Sequence, residues 1–241
     1  MDPPGSGRWF PDLSWHDTPV TGRAVQVLED TEAALRKSAR RMRECGQEDG
    51  ARRAEQFAER IRFDLDEPVV AQQLHLAAAR LRGIRRPGPL ADRALEKVLS
   101  LARAERGNVQ FADPASGALR IIAQHGFDEE FLDHFAVVDD DRSACGRAAR
   151  RGAQLVISDV ITDPAFEPHR KIAAASGFRA VQSTPLVDKA GRVVGVMSTH
   201  YPRPHAPSAR DMLIIKRYAD LVGPALASSV AALMPDGSSL A

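Results

Sequence analysis

The chain has 241 residues, 44% of them hydrophobic and 27% charged, with a formal net charge of +1. That length allows one domain with a substantial extension, or two small domains. The near-zero charge supplies no global pull toward nucleic acid or anionic lipid, and no run approaches the roughly 20 apolar residues of a membrane span.

The first stretch, MDPPGSGRWFPDLSWHD, is Pro/Gly-rich and acidic. It lacks the basic start and apolar centre of a signal peptide, so the expected location is the cytoplasm. Residues 1–20 read as a flexible arm, with Trp9, Phe10 and Trp15 available to pin it to a groove. Residues 21–86 read as a helical extension or small bundle. Ala24, Leu28, Leu35 and Met42 recur at helical spacing until ECGQEDG interrupts the pattern. A second run places Phe57, Ile61 and Leu65 on one side. Pro68 then marks a break, because the residue before proline resists helical geometry. Val70, Leu74, Ala77 and Leu81 continue the period beyond it. The segment RLRGIRRPGPL gathers Arg80, Arg82, Arg85 and Arg86, but no aromatic residues interleave with them, so it reads as a solvated linker and nucleic acid is not an expected partner.

After Pro89 the texture changes. LADRALEKVLSLARAERG is an amphipathic helix carrying Leu95, Val98 and Leu99. NVQFADPASGALRIIAQHG reads as strand, turn, strand, with Asp113, Pro114, Ser116 and Gly117 at the turn. FDEEFLDHFAVV is a short helix. SACGRAARRG is another, with Ser143 placed to cap it. AQLVISDV is a buried strand, and DPAFEPHRKIAAASG turns helical in its second half. RAVQSTPLV and RVVGVMSTHY form a hairpin about DKAG. PSARDMLIIKRYADLVGPALASSVAAL opens with Ser208 and has Asp211 three residues on, a capping-box signature, and reads as a long terminal helix. Residues 233–241 read as a flexible tail. The fold class is α+β: an antiparallel sheet of about five to six strands flanked by helices.

The segments GNVQFADPASGALRIIAQHGF, FLDHFAVV, SACGRAARRG, VISDVITDPAF and GFRAVQSTPLVDKAGRVVGVMSTHY, followed by HAPSARD, resemble in that order the GAF domain family of bacterial signal-transduction proteins. The resemblance spans about residues 90–232, within a domain read as 87–232. It implies a sheet with the N- and C-terminal helices on one side, and shorter helices and loops walling a small-molecule pocket on the other. It implies a sensory or regulatory module, and a catalytic role is left open rather than expected. Nothing follows the terminal helix except the tail, so the chain reads as a stand-alone module, with a separate signalling output protein as its expected partner. A homodimer through the N- and C-terminal helices is also expected.

The hairpin carries an unusual share of small and hydroxylic side chains. Alternation puts Val181, Ser183, Pro185 and Val187 on one side of its first strand, and Gln182, Thr184 and Leu186 on the other. Val194, Val196, Ser198 and His200 share one side of the second strand, and Gly195 permits close approach of a backbone or ligand. The candidate ligand-binding residues are Gln182, Thr184, Ser198 and His200, together with Cys145, Asp159, Phe166, Phe178 and Arg179. Phe166, Phe178 and Arg179 enter by family analogy as wall and mouth residues. Asp159 and Asp163, in SDVITDP, suit turn and capping work near a pocket mouth, and Asp139, Asp140 and Asp141 read as a solvated loop.

Cys145 falls in the first turn of a capped helix, where oriented N–H groups favour a thiolate. That position keeps a thiol redox sensor open as an alternative to ligand sensing, beside a non-catalytic dimerisation or interaction module. Cys45 and Cys145 are the only cysteines, which is too few for a repeated CxxC metal site. GAF proteins that reduce free methionine sulfoxide rely on several cysteines, and this region has one. A bilin-binding GAF domain attaches its chromophore at a cysteine next to a histidine, whereas Gly146 follows Cys145. The histidines show no metal-ligand spacing, so neither haem nor bilin is expected and the ligand is left open. No nucleophile elbow surrounds Ser183 or Ser198.

Overall fold

The computed structural model describes residues 22–232; the arm at 1–20 and the tail at 233–241 lie outside the described residues. Two compact units appear, Met1–Pro68 and Val69–Ala241.

In the first unit, α1 (Gly22–Glu44) and α2 (Glu48–Asp66) form a helical hairpin. The break falls within ECGQEDG, where Gly46 takes a left-handed conformation. The seam is made of small residues: Ala39 of α1 is buried with Ala51 and Ala54 of α2, and Leu35 and Met42 pack beside them. This differs from the stripe expected for the second helix. Phe57 is 55% exposed, while Ala51, Ala54 and Ala58 are buried. Alanine at i, i+3 and i+7 lets two backbones approach closely, so Ala51, Ala54 and Ala58, not Phe57, take the inner face.

The second unit begins at Val69, so nearly all of α3 (Pro68–Ala79) groups with the later elements. These are α4 (Pro87–Ala102), β1 (Arg106–Ala112), β2 (Leu119–His125), α5 (Glu129–His134), α6 (Ala144–Arg151), β3 (Leu155–Ile157), a 3-10 turn at Glu167–His169, α7 (Arg170–Ala175), β4 (Ala180–Val187), β5 (Val193–Tyr201) and α8 (Ala209–Ala231). The five strands form one antiparallel sheet in the order β2-β1-β5-β4-β3. This is the α+β architecture expected from the sequence.

Turn chemistry sets the hairpins. Asp113 Oδ1 accepts from the backbone N–H groups of Ala115 and Ser116, closing β1 onto β2. Asp188 Oδ1 accepts from Ala190 and Arg192 in the same way between β4 and β5. A bulge after Val109 re-aims the β1–β2 edge.

The two faces of the sheet are covered differently. α4 and α8 lie on one face. Their inner stripe includes Leu90, Leu95 and Val98 of α4, and Ile215, Ala219, Val222 and Leu226 of α8. The spacing of the α8 residues, i, i+4, i+7, i+11, is the helical period. Ser208 caps α8, accepting from the Asp211 N–H at 3.1 Å. Two glycines bring these layers together. A Cβ on Gly195 would lie 2.3 Å from the Gln110 carbonyl oxygen and 3.5 Å from Leu226, and one on Gly223 would lie 2.1 Å from the Val187 carbonyl oxygen. The close approach at Gly195 therefore serves neighbouring backbone and α8. The other face carries α5, α6, α7 and their loops, over a core that includes Phe131, Phe135, Phe166 and Phe178.

Candidate functional site

The sheet face beneath α5 and α6 is polar at its centre. Strand register aligns Asn108 with Ser198, Ser183 with Ser198, and Gln110 with Val196. Directly paired residues share a face, so Asn108, Gln110, Ser183, Ser198 and His200 all point to the layer of short helices. The Ser183 and Ser198 hydroxyls lie 2.8 Å apart and satisfy one another. Their neighbours do not. Both side-chain atoms of Gln110, Oδ1 of Asn108 and Nδ1 of His200 are buried without a hydrogen-bond partner. Gln110 is fully buried, and Asn108 and His200 are 4% and 5% exposed. An unsatisfied buried polar group costs about 1–3 kcal/mol, so such a concentration calls for an explanation.

These groups surround a cavity of about 20 Å³, a little more than the smallest space that holds a water. Its walls are aromatic, formed by Phe131, Phe135, Phe166 and Phe178. Phe127 stacks on Phe131 with ring centroids 3.6 Å apart, and the His200 ring stands edge-on to Phe178 at 4.7 Å and to Phe127 at 4.9 Å. Burial, reinforced by the Arg106 charge, pushes the His200 pKa down to about 3, so its ring is neutral.

Cys145 also borders the cavity. Ser143 caps α6, accepting from the Gly146 N–H at 3.1 Å, so the thiol does sit in a capped first turn. Burial nonetheless pushes the thiol pKa up, against the contact with Ser143 Oγ at 3.6 Å. Desolvation outweighs the helix terminus, and the thiolate favoured by sequence position is not the form stabilised here.

Of the residues singled out from sequence, Cys145, Phe166, Phe178, Ser198 and His200 converge on this cavity. Gln182 and Thr184 do not. They alternate to the opposite face, pairing in register with Thr199 and Met197. There Gln154 Nε2 donates to Thr184 Oγ1 at 3.2 Å and to the Met212 carbonyl of α8 at 3.1 Å. Asp159 and Arg179 form a two-pronged ion pair, with separations of 3.1 and 2.6 Å, outside the cavity lining. The hydrogen bond from Arg179 is the main reason the Asp159 carboxyl is held below its usual range. Arg147 grips Asp163 Oδ2 through two nitrogens at 3.1 Å, and Asp163 Oδ1 accepts from the Phe166 N–H at 3.0 Å. Both pairs fasten the loop that brings Phe166 to the cavity.

Asp140 is more than a solvated loop residue. It accepts from the N–H groups of Arg142 and Ser143 at 2.7 and 2.6 Å, ahead of α6. Burial opposes its ionisation, but these bonds together keep its pKa low. His169 stands 3.8 Å away and meets His134 at 3.0 Å. Among the described residues, no group of three or more His, Cys, Asp or Glu is placed to hold a metal ion.

Sequence reasoning missed Asn108 and Gln110. The signal was present in GNVQFA, where polar and apolar residues alternate at strand period, but that pattern ordinarily marks a solvated face.

The family profile of the GAF domain matches residues 88–227. Among curated proteins, the chain is similar to the Methyl sulfide methyltransferase-associated sensor of Methanosarcina acetivorans, with 27% identity over 89 residues. That match covers 37% of this chain and only 9% of that protein. Among solved structures, the GAF domain of a phosphoenolpyruvate-protein phosphotransferase from Coxiella burnetii aligns with a TM-score of 0.58 at 12% identity, covering 67% of this chain and 95% of that one. The free methionine-R-sulfoxide reductase of Neisseria meningitidis, solved with its substrate, aligns with a TM-score of 0.55 at 18% identity, covering 66% and 89%. At these identities the two structures speak for the fold alone. The profile takes in more than half of the sequence and runs from the start of α4 into α8, and the chain belongs to the GAF domain family.

Proposed function

We propose that this protein is a cytoplasmic sensor that binds a small molecule noncovalently between the β1–β5 face of its sheet and the aromatic layer above it. The observation that carries this reading is the cluster of unpartnered, buried polar atoms on Asn108, Gln110 and His200 around an aromatic-walled cavity. A few convergent polar groups within apolar walls are the usual make-up of a ligand site. GAF domains are typically sensory, non-catalytic modules, which agrees with this use.

The cavity holds only about 20 Å³, so binding must displace part of the aromatic wall. The reading involves neither haem nor bilin. β5 offers a route outward, because Ser198 and His200 face the cavity while Gly195 on its other face lies against Leu226 of α8. A ligand transmits a signal along it only by binding two arrangements of α4 and α8 unequally. The receiver would be a separate output protein.

Native mass spectrometry of freshly purified protein, beside a denatured spectrum and an absorbance scan, tests the proposal. A mass excess lost on denaturation supports it. A protein that stays ligand-free and unshifted in melting temperature across a broad metabolite screen counts against it. A second reading, a homodimerisation or interaction module without a ligand, is favoured by the exposure of Val27 and Phe57 on the α1–α2 hairpin. Light scattering over a range of concentrations separates the two, since a strict monomer sinks the second. The redox alternative is disfavoured by the burial of Cys145.

A further inference from the structure

The sensor reading leaves the chemistry of the ligand open, and the cavity lining narrows it. None of the residues bordering the cavity is Asp, Glu, Lys or Arg. Burial keeps the His200 ring neutral and leaves Cys145 with its proton. Three charged groups that neighbour the lining residues have partners already. Arg147 is held by Asp163, Asp140 by two backbone N–H groups, and Arg106 donates to the Gly126 carbonyl at 3.1 Å. A carboxylate, phosphate or ammonium group placed here would lose its hydration without gaining a counter-charge, a loss of several kcal/mol in a dry interior.

What the lining does offer is specific. The Gln110 carboxamide presents a donor, Nε2, beside an acceptor, Oε1, and both are unpartnered at full burial. Asn108 adds a second free acceptor on the same strand two residues away, and the remaining ring nitrogen of His200 adds a group whose role depends on its tautomer. The complement of a carboxamide is another amide edge, which returns one donor and one acceptor in a plane. The walls are phenyl rings, which favour flat partners. Resting on the sensor reading, we propose that the cavity takes an uncharged, planar ligand with an amide-type edge, such as a primary carboxamide, lactam or cyclic urea, paired to Gln110.

Matched probes of nearly equal shape and different charge test this on the full chain: nicotinamide against nicotinate, and benzamide against benzoate. Toluene serves as an apolar probe of the cavity itself. Binding is read by ligand-observed NMR and by the shift in melting temperature. The neutral member of at least one pair is expected to bind about tenfold or more tightly than its anion, the scale of one buried polar group left unpaired. Gln110→Leu is expected to abolish that preference while toluene still binds. The same variant, without ligand, is expected to melt at or above the wild-type temperature, because it removes two orphaned atoms; a purely structural glutamine would lower it. Gln110→Met serves the same end if the leucine variant does not fold. Anions that bind as well as amides, or amide binding that survives Gln110→Leu, would overturn the ligand class. Toluene binding with no amide preference also overturns the class but leaves the sensor reading standing. Failure of toluene and every matched probe overturns both.

Discussion

Gly223 of α8 lies so close to Val187 of β4 that a Cβ there would fall 2.1 Å from the Val187 carbonyl oxygen and 2.5 Å from its nitrogen. Both obstacles are backbone atoms of a paired strand and cannot swing aside. The missing side chain is therefore what allows α8 to seat on the sheet.

Helix propensity alone favours Gly223→Ala by about 1 kcal/mol. The contact predicts the opposite sign, a loss of about 1–3 kcal/mol or more from overpacking. Urea denaturation of the two proteins decides between them. A variant equal to or more stable than wild type would mean that α8 does not rest on β4 in this way.

The thiols should report the closure of the cavity. Cys45 is exposed and Cys145 buried, and burial holds the Cys145 thiol in its neutral, unreactive form. Iodoacetamide at neutral pH should add one group, at Cys45, with a second appearing only in denaturant. Intact-mass spectrometry followed by peptide mapping reads this directly. Rapid double labelling of the native protein would show that α6 lifts readily from the sheet.

Local chemistry was legible in the sequence wherever it depends on neighbours in the chain. Ser143 and Ser208 were recognisable as caps because a cap reaches only two or three residues ahead. Asp113 likewise declared a turn. The site was half legible. Alternation separates Gln182 from Ser183, but which side meets the cavity depends on the register that sets Ser183 against Ser198, and that pairing is non-local. Both sides carry buried polar residues, so hydrophobicity could not break the tie. Asn108 and Gln110 were obscured for a related reason. Their strand looks amphipathic, and only its central place between β2 and β5 buries its polar side. Leu35 and Met42 are legible as seam residues of the α1–α2 hairpin, but Phe57 is not excluded by pattern, because alanines look neutral in it while close approach favours them.

The ion pair between Arg147 and Asp163 should contribute more than a typical surface pair. Both side chains are largely shielded, and two nitrogens share one oxygen. Asp163 also holds the Phe166 N–H, so it does two tasks. Asp163→Ala should therefore cost more than Arg147→Ala, with Asp163→Asn between them because an amide oxygen can still cap. In a double-mutant cycle read by urea denaturation, the coupling should fall at about 0.5–3 kcal/mol. Strict additivity would mean the pair is not formed in solution.

His200 makes a prediction about acid. In an unfolded chain its pKa lies near 6.5, whereas burial, with the Arg106 charge as a second cause, lowers it to about 3 in the folded protein. Above pH 6.5 both states are neutral and the group leaves stability unchanged. As pH falls from about 6.5 toward about 3, the unfolded chain takes up a proton that the native protein refuses, and stability drops with a slope approaching about 1.4 kcal/mol per pH unit. His169, whose pKa is lowered chiefly by burial, works in the same direction. His200→Phe keeps a ring among Phe127, Phe131 and Phe178 and removes the titration. It should match or slightly exceed wild-type stability at pH 7.5, where it eliminates the orphaned Nδ1. Between pH 6.5 and 4.5 it should lose distinctly less stability than wild type, leaving the smaller share of His169. Urea midpoints at half-unit steps of pH measure the difference. Parallel curves for the two proteins would place His200 in contact with water, and with it the floor of the cavity.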